Sequence, residues 1–511
     1  MVSSSQYSSS PHSVLVVGGG PAGLTAAYEL VKRGTEAIVL EQSNQVGGIA
    51  RTEQYKGYRF DIGGHRFFTK VDEVNLLWQE VMGKRFIKVP RLSRIYYNGN
   101  FFSYPLQVMD TLTNLGVRES AKILLSYVKI KIRPLKTEES LEDWVTNRFG
   151  KRLFRTFFKT YTEKVWGISC DKIQADWAAQ RIKGLSLRTA VLNALFQVNN
   201  TKTLIKEFDY PVLGPGEMWE AFRDEICDRG GAVHLHSSVV KLYRSGSRIT
   251  HALVRQAGQR VEMPVEQLIS SMPITTLVRQ LDPPAPPEVL ASAKALKYRD
   301  FLIVPIVVNR ADLFPDNWIY IHSPEVKVGR IQNFKNWSSA MVPDPTKTCL
   351  GMEYFCSEGD ELWEMSDTEL LDLATREIAQ LGLEQADEVE DGTVIRQPKA
   401  YPVYDRDYRH HLDVLQTYLQ SFENLQTIGR NGMHRYNNQD HSMLTAILAV
   451  RNLFGECHDL WNVNTERSYH ENFTQEEWDA RSRQRPTAAE SSPETSLDRP
   501  LAVPLSLSSH S

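Results

Sequence analysis

Three glycines with the spacing GxGxxG stand near the start of the chain, at Gly18, Gly20 and Gly23. They follow a short apolar run and open a segment with helical periodicity, so backbone N–H groups and the helix dipole would face an anion there. Glu41 ends the next apolar run, where a carboxylate accepts hydrogen bonds from ribose hydroxyls. This combination predicts a site for the pyrophosphate and ribose of a dinucleotide.

A second glycine pair indicates which dinucleotide is bound. Gly48 and the glycine before it are followed by Arg51 and Thr52. Such a second approach of backbone to phosphate is used by large flavoproteins and is absent from simple dehydrogenases. The turn around Gly64, in the sequence Asp-Ile-Gly-Gly-His, strengthens this interpretation. We therefore predict that the chain binds FAD and that Gly48, Arg51, Thr52 and Gly64 contact it.

The apolar pattern predicts the elements that must hold these residues. Residues 14–17 and 36–41 have the pattern of strands on either side of a helix over 21–33, which makes a βαβ unit. The remaining patterns are helical over 105–204, strand-like at 301–308, 318–321 and 351–355, and helical again over 442–454.

These patterns predict an α/β protein with an FAD-binding Rossmann-like domain of the two-dinucleotide-binding type, a helical insertion and a mixed β-sheet substrate domain. The predicted division is 13–70, 205–285 and 420–456 for a discontinuous FAD-binding domain, 71–204 for a mostly helical substrate or cap domain, 286–419 for the mixed-sheet domain, and 1–12 and 484–511 for disordered tails.

Composition excludes several classes of protein. With 59 Lys and Arg against 62 Asp and Glu, the formal net charge of -3 gives no electrostatic reason to expect nucleic acid or a polybasic membrane contact. The five cysteines are scattered without a CxxC pair, so no metal site is predicted and the thiols are expected to be reduced. Neither a signal peptide nor an apolar run of roughly 18 to 20 residues is present. We expect a cytoplasmic protein without a transmembrane segment.

Further motifs resemble a known family, the flavoproteins of the amine oxidase and protoporphyrinogen oxidase superfamily, and within it the UDP-galactopyranose mutases. The Gly-Gly-His turn ending at His65 looks like the mutases' flexible histidine loop beside the flavin. The other matching segments are Ser103–Gln107, Phe157–Gly167, Gly329–Ile331, Gly429–Gly432, and Tyr436 followed by Asn438–Ser442. Two features depart from the pattern of the eukaryotic mutases: the gap between Tyr436 and Asn438 is short, and His434 replaces an aromatic residue.

The resemblance implies roles for individual residues. Arg330 and Arg430 would hold and neutralise a diphosphate, for which the planar guanidinium fork is suited, and His65 would lie against the isoalloxazine ring. For Arg430 a place against the flavin is the alternative, because the Gly-Arg-x-Gly turn lies there in the superfamily. The residues expected to bind the substrate are Tyr161, Trp166, Arg181, Tyr401 and Tyr436. Further cofactor contacts are expected from Val239, Gly429, Asn438 and Met443.

The implied reaction interconverts the pyranose and furanose forms of a nucleotide sugar through an adduct between the sugar and N5 of reduced flavin. It would need a reductant such as NAD(P)H, while the oligomeric state is left open. The alternative is an FAD-dependent oxidoreductase of the amine oxidase, protoporphyrinogen oxidase or desaturase type, with a lysine near the flavin, for which Lys335 is a candidate. A flavin-carrying binding protein without turnover is a third interpretation.

Overall fold

A computed structural model describes residues 13–106, 108–175, 203–204, 206–464 and 472–473. Its strands in chain order are β1 (Ser13–Val17), β2 (Glu36–Leu40), β3 (Thr52–Tyr55), β4 (Tyr58–Asp61), β5 (Phe86–Pro90), β6 (Ser93–Tyr97), β7 (Asn100–Ser103), β8 (Thr203–Leu204), β9 (Glu207–Pro211), β10 (Ala232–His234), β11 (Ser237–Ser245), β12 (Arg248–Gln256), β13 (Gln259–Pro264), β14 (Gln267–Ser270), β15 (Leu281–Asp282), β16 (Tyr298–Val308), β17 (Trp318–Ile321), β18 (Arg330–Asn333), β19 (Thr348–Cys356), β20 (Val389–Gly392), β21 (Ile395–Pro402), β22 (Leu425–Thr427) and β23 (Asn472–Phe473).

The helices in the same part of the chain are α1 (Pro21–Lys32), α2 (Asp72–Met82), α3 (Val108–Leu115), α4 (Val117–Ile132), α5 (Leu141–Phe149), α6 (Lys151–Leu153), α7 (Thr160–Trp166), α8 (Gly216–Asp228), α9 (Ile274–Arg279), α10 (Pro287–Ala295), α11 (Phe334–Trp337), α12 (Glu361–Glu364), α13 (Asp367–Gln380), α14 (Tyr408–Gln420) and α15 (Gln439–Leu453). A π-helical turn over Phe154–Lys159 joins α6 to α7.

The first sheet is five-stranded and parallel, in the order β10-β2-β1-β14-β22. Successive side chains of a strand point to opposite faces of a sheet, and in this sheet both faces are buried. In β1, Val14 and Val16 pack with helices α1, α8 and α15, whereas Leu15 and Val17 pack beneath the mixed four-stranded sheet β13-β12-β11-β15. The predicted βαβ unit and the α/β fold class are confirmed.

The second large sheet is mixed and roofs the site. Its order is β20-β16-β19-β18-β17-β6-β7, with β21 also paired to β16. The strands predicted at 301–308, 318–321 and 351–355 are confirmed as β16, β17 and β19. The helix expected over 442–454 is α15, which begins three residues earlier.

The described part of the segment 71–204 contains the strands β5, β6 and β7 beside its helices. β6 pairs in parallel with β17, and β7 pairs with β6, so both extend the mixed sheet. The side chains of β6 alternate between the two faces of this sheet, as expected for a strand: Ile95 faces the core around the cavity, and Tyr96 faces the opposite side. The division into domains stays a prediction, and the two expected tails lie outside the described residues.

Among the helices that the structure describes, none combines the length and the apolar character that a crossing of the bilayer requires.

Candidate functional site

Backbone contacts close the glycine-rich turn between β1 and α1. The N–H of Gly18 donates to the carbonyl of Leu40 at 2.9 Å. A Cβ on Gly23 would lie 1.8 Å from the Gly18 carbonyl oxygen, so only glycine lets the helix pack on the turn here. A Cβ on Gly20 would meet only backbone atoms of Gly48, at 3.7 Å or more. Gly20 therefore lies open to the cavity that it lines.

Glu41 and the second glycine pair lie beside that turn. The Glu41 carboxylate accepts hydrogen bonds from the Gly19 N–H at 2.7 Å and from the Ser43 N–H at 2.8 Å, and it lines the cavity. Gly48 packs against Gly20, where a Cβ would lie 3.2 Å from the Gly20 Cα. Both predicted phosphate-binding segments thus meet at one end of one cavity.

The cavity measures about 1160 Å³ and runs from this turn to the mixed sheet. It exceeds the roughly 300–1,000 Å³ of a single small-ligand site, so a cofactor and a substrate fit together. Its wall carries buried polar atoms without hydrogen-bond partners among the described residues, namely Oε1 of Gln280, Oδ1 of Asn431 and Oε1 of Gln439. Such atoms require a polar ligand to satisfy them. Together with the glycine turn, they fit FAD.

At the far end of the cavity, Arg330 projects from the first position of β18 and is held by a buried carboxylate. Its Nε donates to Glu353, whose side chain is 0% exposed, and Gln332 Nε2 donates to the other Glu353 oxygen at 2.8 Å. The two terminal nitrogens of Arg330 make no hydrogen bond within the described residues. Burial raises the pKa of Glu353, and Arg330 acts in the opposite direction. The carboxylate thereby fixes a guanidinium whose remaining donors face the cavity.

Arg430 reaches the same cavity from the turn before α15. Its Nε donates to the Asn437 carbonyl at 2.9 Å, and its Nη1 donates to the Ala400 carbonyl at 3.1 Å. The guanidinium lies 4.6 Å from the ring centre of Tyr436 and 5.7 Å from that of Tyr401. These rings stack on each other at 5.7 Å with an interplanar angle of 16°. Two arginines that are 100 residues apart in sequence thus face one space with two tyrosines beside them.

Aromatic side chains form most of the remaining wall around these arginines. Trp166 lies 6.4 Å from both Tyr401 and Tyr436, and Tyr161 stacks on His322 at 4.8 Å. Other aromatic residues of the wall are Tyr104, Phe157, Phe158, Phe301, Tyr320 and Phe355. An apolar wall with few charges lowers the local dielectric and strengthens any ion pair formed inside.

The His65 imidazole is turned back onto its own loop. Its Nε2 lies 2.8 Å from the Ile62 carbonyl, which can only accept, so Nε2 carries a proton. Burial, with help from the charges of Arg430 and Arg330, lowers the His65 pKa to about 4. The ring is therefore neutral near pH 7, and the Gln439 amide donates to the His65 carbonyl at 3.3 Å.

The predicted cofactor and substrate residues mostly line this cavity. These are Gly18, Gly20, Glu41, Gly48, Arg51, Gly64, His65, Tyr161, Trp166, Val239, Arg330, Tyr401, Gly429, Arg430, Tyr436 and Asn438. Arg51 is fixed by Glu53, by the Gly48 carbonyl at 2.8 Å and by Gln397 at 2.7 Å. The Val239 carbonyl accepts a hydrogen bond from Gln280 at 2.9 Å.

Of the other predicted residues, Gly23 holds the turn without lining the cavity, and three lie elsewhere. Thr52 Oγ1 donates to buried Asp61 at 3.0 Å and accepts from the Gly216 N–H at 3.0 Å, so it fixes the start of α8. Met443 is fully buried in the core beside the parallel sheet. The Lys335 ammonium donates to the Ala311, Pro345 and Lys347 carbonyls, away from the cavity wall. Arg181 lies outside the described residues.

The structure adds two residues that the sequence reasoning missed. Glu353 interrupts the otherwise apolar strand β19, and an isolated carboxylate in such a run is itself a signal of a buried cation partner. Lys164 donates to the carbonyls of Ser323 at 2.7 Å and Val328 at 3.0 Å, which ties α7 to the segment before Arg330. Burial lowers the Lys164 pKa to about 8.

A family model described as flavin containing amine oxidoreductase matches residues 21–404. The chain belongs to this family. Membership implies a flavin cofactor, and the glycine turn, Glu41 and the unsatisfied polar atoms of the cavity wall lie where that cofactor would be held.

Curated relatives within the amine oxidoreductase family are distant. AofH of Mycobacterium tuberculosis, described as a flavin-containing monoamine oxidase, is 25% identical over 289 residues, 54% of this chain and 60% of the relative. An L-amino-acid oxidase of Crotalus adamanteus is 23% identical over 320 residues, 57% of each chain. The chain thus spans about 60% of the length of these relatives.

Solved structures share the fold over most of the chain. A reduced UDP-galactopyranose mutase superposes with a TM-score of 0.77 at 20% identity, covering 89% of this chain and 100% of the mutase. A putrescine oxidase variant gives a TM-score of 0.59 at 15% identity, covering 87% and 99%. The predicted placement in the amine oxidase superfamily is confirmed, and these structural likenesses establish the fold alone.

Proposed function

We propose that this flavoprotein is an isomerase of the UDP-galactopyranose mutase type, which interconverts the pyranose and furanose forms of a sugar linked to a nucleoside diphosphate. The observation that carries the proposal is the convergence of Arg330 and Arg430 on one aromatic-walled space. This space continues into the dinucleotide cradle, the part of the cavity lined by Gly18, Gly20, Glu41 and Gly48. A site for a neutral or cationic apolar substrate has no use for two guanidinium groups. A diphosphate next to a sugar requires them.

The guanidinium groups bind the diphosphate. Arg330 keeps two terminal nitrogens for phosphate oxygens after Glu353 has taken its Nε, and Arg430 is anchored by two carbonyls. Because Glu353 offsets one of the two positive charges, the pair contributes about one net charge to the space. Charge-assisted hydrogen bonds from preorganised donors are stronger than neutral hydrogen bonds. They would stabilise the negative charge that develops on the phosphate as it leaves the sugar.

The tyrosines orient the same group. Neither the Tyr401 nor the Tyr161 hydroxyl makes a hydrogen bond among the described residues, and both rings line the cavity. Burial raises the pKa of both phenols, so each keeps its proton and acts as a donor. Stacking against Tyr436 holds the Tyr401 ring in one orientation.

His65 contributes position rather than proton transfer. Its neutral ring is bound to the Ile62 carbonyl, and its loop packs against Arg330, where a Cβ on Gly63 would lie 3.5 Å from Nη2. The loop thus lies beside Arg330 in the wall of the cavity. FAD, when bound and reduced, supplies the nucleophilic nitrogen for the sugar, and the overall reaction involves no net oxidation.

The experiment is a redox comparison. Protein reduced with dithionite is incubated with UDP-galactopyranose or UDP-galactofuranose, and the equilibrated products are separated by chromatography. The proposal expects interconversion by the reduced protein and none by the oxidised protein. Oxygen consumption by the oxidised protein with amines or amino acids, and no isomerisation of UDP or dTDP sugars by the reduced protein, would instead establish an oxidase.

The oxidase alternative has its support in the family and in the relatives named as oxidases. Its lysine candidate is not supported, because the Lys335 ammonium is bound by three carbonyls away from the cavity. The stacked Tyr401–Tyr436 pair could flank an amine, yet Arg430 lies against the same rings and would repel an ammonium group. The redox comparison separates the two functions directly.

A further inference from the structure

Helix α4 and the turn after it expose an apolar surface, here called the α4 face. It consists of Val117, Leu124, Leu125, Val128, Ile132 and Leu135, which are 41% to 86% exposed. These are six of the nine large apolar side chains that are exposed in the described part of the chain. Large apolar groups concentrated in this way on one surface mark an interaction site rather than ordinary surface variation.

The spacing puts these side chains on one side of the helix. At 100° per residue, the five members on α4 itself fall within one stripe about 100° wide: Val117, Leu124, Leu125, Val128 and Ile132. Leu135 follows in the turn after the helix. The opposite side of α4 packs inward: Ile123 is 1% exposed, and Gly150 leaves no space for a Cβ beside the Tyr127 backbone N at 2.9 Å. The α4 face therefore points away from the protein.

Basic residues border the stripe on both sides. On the wheel Arg118, Lys122 and Lys129 lie along one edge, and Lys131 lies along the other. Between residues 117 and 136 there are six basic side chains and one acidic side chain, Glu119, for a local net charge of about +5 in a chain whose total is -3. The local charge is thus opposite in sign to that of the whole protein.

We propose that the α4 face is a docking surface for an anionic lipid bilayer, on which α4 lies parallel to the membrane plane. An apolar stripe buried at the headgroup boundary, with flanking lysines extended to anionic phosphates, is the arrangement of interfacial helices. A symmetric pairing of two copies through this face would bring the lysine edges of both helices together, and like charges oppose it. Charge complementarity therefore favours anionic lipid over a second copy.

The test is cosedimentation of the full-length protein with vesicles of phosphatidylcholine, with and without about 30% phosphatidylglycerol. The proposal expects binding to the anionic vesicles that weakens as sodium chloride is raised. Leu125→Glu and Ile132→Glu should each lower the partition coefficient roughly tenfold or more. Leu76→Glu is the matched control, since Leu76 is 64% exposed on α2 and should leave binding unchanged.

A second variant separates charge from apolar contact. Lys122→Glu with Lys129→Glu should abolish the preference for anionic vesicles, whereas Lys122→Arg with Lys129→Arg should keep it. The thermal midpoint and the flavin absorbance show that each variant is folded. Equal binding to both vesicle types, unchanged binding by Leu125→Glu, or absence of binding by the unmodified chain would overturn the proposal. So would light scattering that shows a dimer which Leu125→Glu converts to a monomer.

Discussion

Removal of Arg330 should have two effects that can be separated, because its partner is a buried carboxylate. In Arg330→Ala, Glu353 stays 0% exposed and keeps only the Gln332 amide at 2.8 Å. Breaking a buried ion pair from one side costs about 3–5 kcal/mol. For a chain of this size we expect the thermal midpoint to fall on the order of 5 °C. UDP affinity should fall roughly ten- to a hundredfold, from the loss of about 1.5–3 kcal/mol of charge-assisted bonding.

The double variant Arg330→Ala/Glu353→Gln distinguishes the effects. Neutralising the stranded carboxylate should restore most of the thermal midpoint, while UDP affinity stays low, as measured by isothermal titration calorimetry. Arg94→Ala is the matched control. Arg94 binds Asp316, whose side chain is 0% exposed, by two nitrogens at 2.6 to 3.1 Å and lies off the cavity wall. It should destabilise the protein and leave UDP affinity unchanged.

The destabilisation of Arg330→Ala should also depend on pH. Burial raises the pKa of Glu353, and the loss of Arg330 removes the largest opposing influence. A carboxyl whose pKa is higher in the folded than in the unfolded protein binds more protons when folded, so the single variant should gain stability as pH is lowered towards the unfolded-state pKa of about 4.3. Two results would refute the reasoning: wild-type UDP affinity in the double variant, or a double variant as unstable as the single one.

Four further predictions concern the cofactor end of the cavity and the His65 loop. Gly20→Ala should fold, because its Cβ meets only glycine backbone at 3.7 Å, and should bind little flavin, because that Cβ would stand in the cavity that Gly20 lines. Gly23→Ala should instead disturb the turn itself, through a 1.8 Å contact with Gly18. Flavin absorbance and thermal midpoints distinguish the two variants. Glu41→Ala should weaken FAD binding by about 1–3 kcal/mol in a fluorescence titration, and an unchanged affinity would exclude a ribose contact. His65, with a pKa of about 4, should contribute no step to the pH–rate profile between about 5.5 and 7.5, and such a step lost in His65→Asn would contradict a neutral ring. Because its pKa is lowered on folding, acidification from about 6.5 towards 4 should destabilise the protein, and His65→Asn should reduce that loss.

The dinucleotide cradle could be predicted because its requirements are local. Gly23 is imposed by a backbone contact within the turn, where its Cβ would meet the Gly18 carbonyl, and Glu41 follows at the end of the neighbouring strand. The same locality explains why β1, α1 and β2 were placed correctly.

Residues whose placement depends on distant segments were harder to assign. Nothing in the sequence around Arg330 and Arg430 brings them together; only the family resemblance did so. Thr52 was assigned to the cofactor from its position in a motif, but the side chain points to Asp61 and the start of α8. The strands at 86–103 were missed because long apolar side chains suit both helix and strand, and only the partner strand β17 decides between them.

The most direct test of the proposed function is a crystal structure of the protein with FAD and UDP bound. We expect the FAD pyrophosphate at the Gly18–Gly20 turn, and the UDP diphosphate within hydrogen-bonding distance of both Arg330 and Arg430. A UDP diphosphate bound outside the aromatic space, or no UDP at saturating concentration, would contradict the assignment of this cavity to a nucleotide sugar.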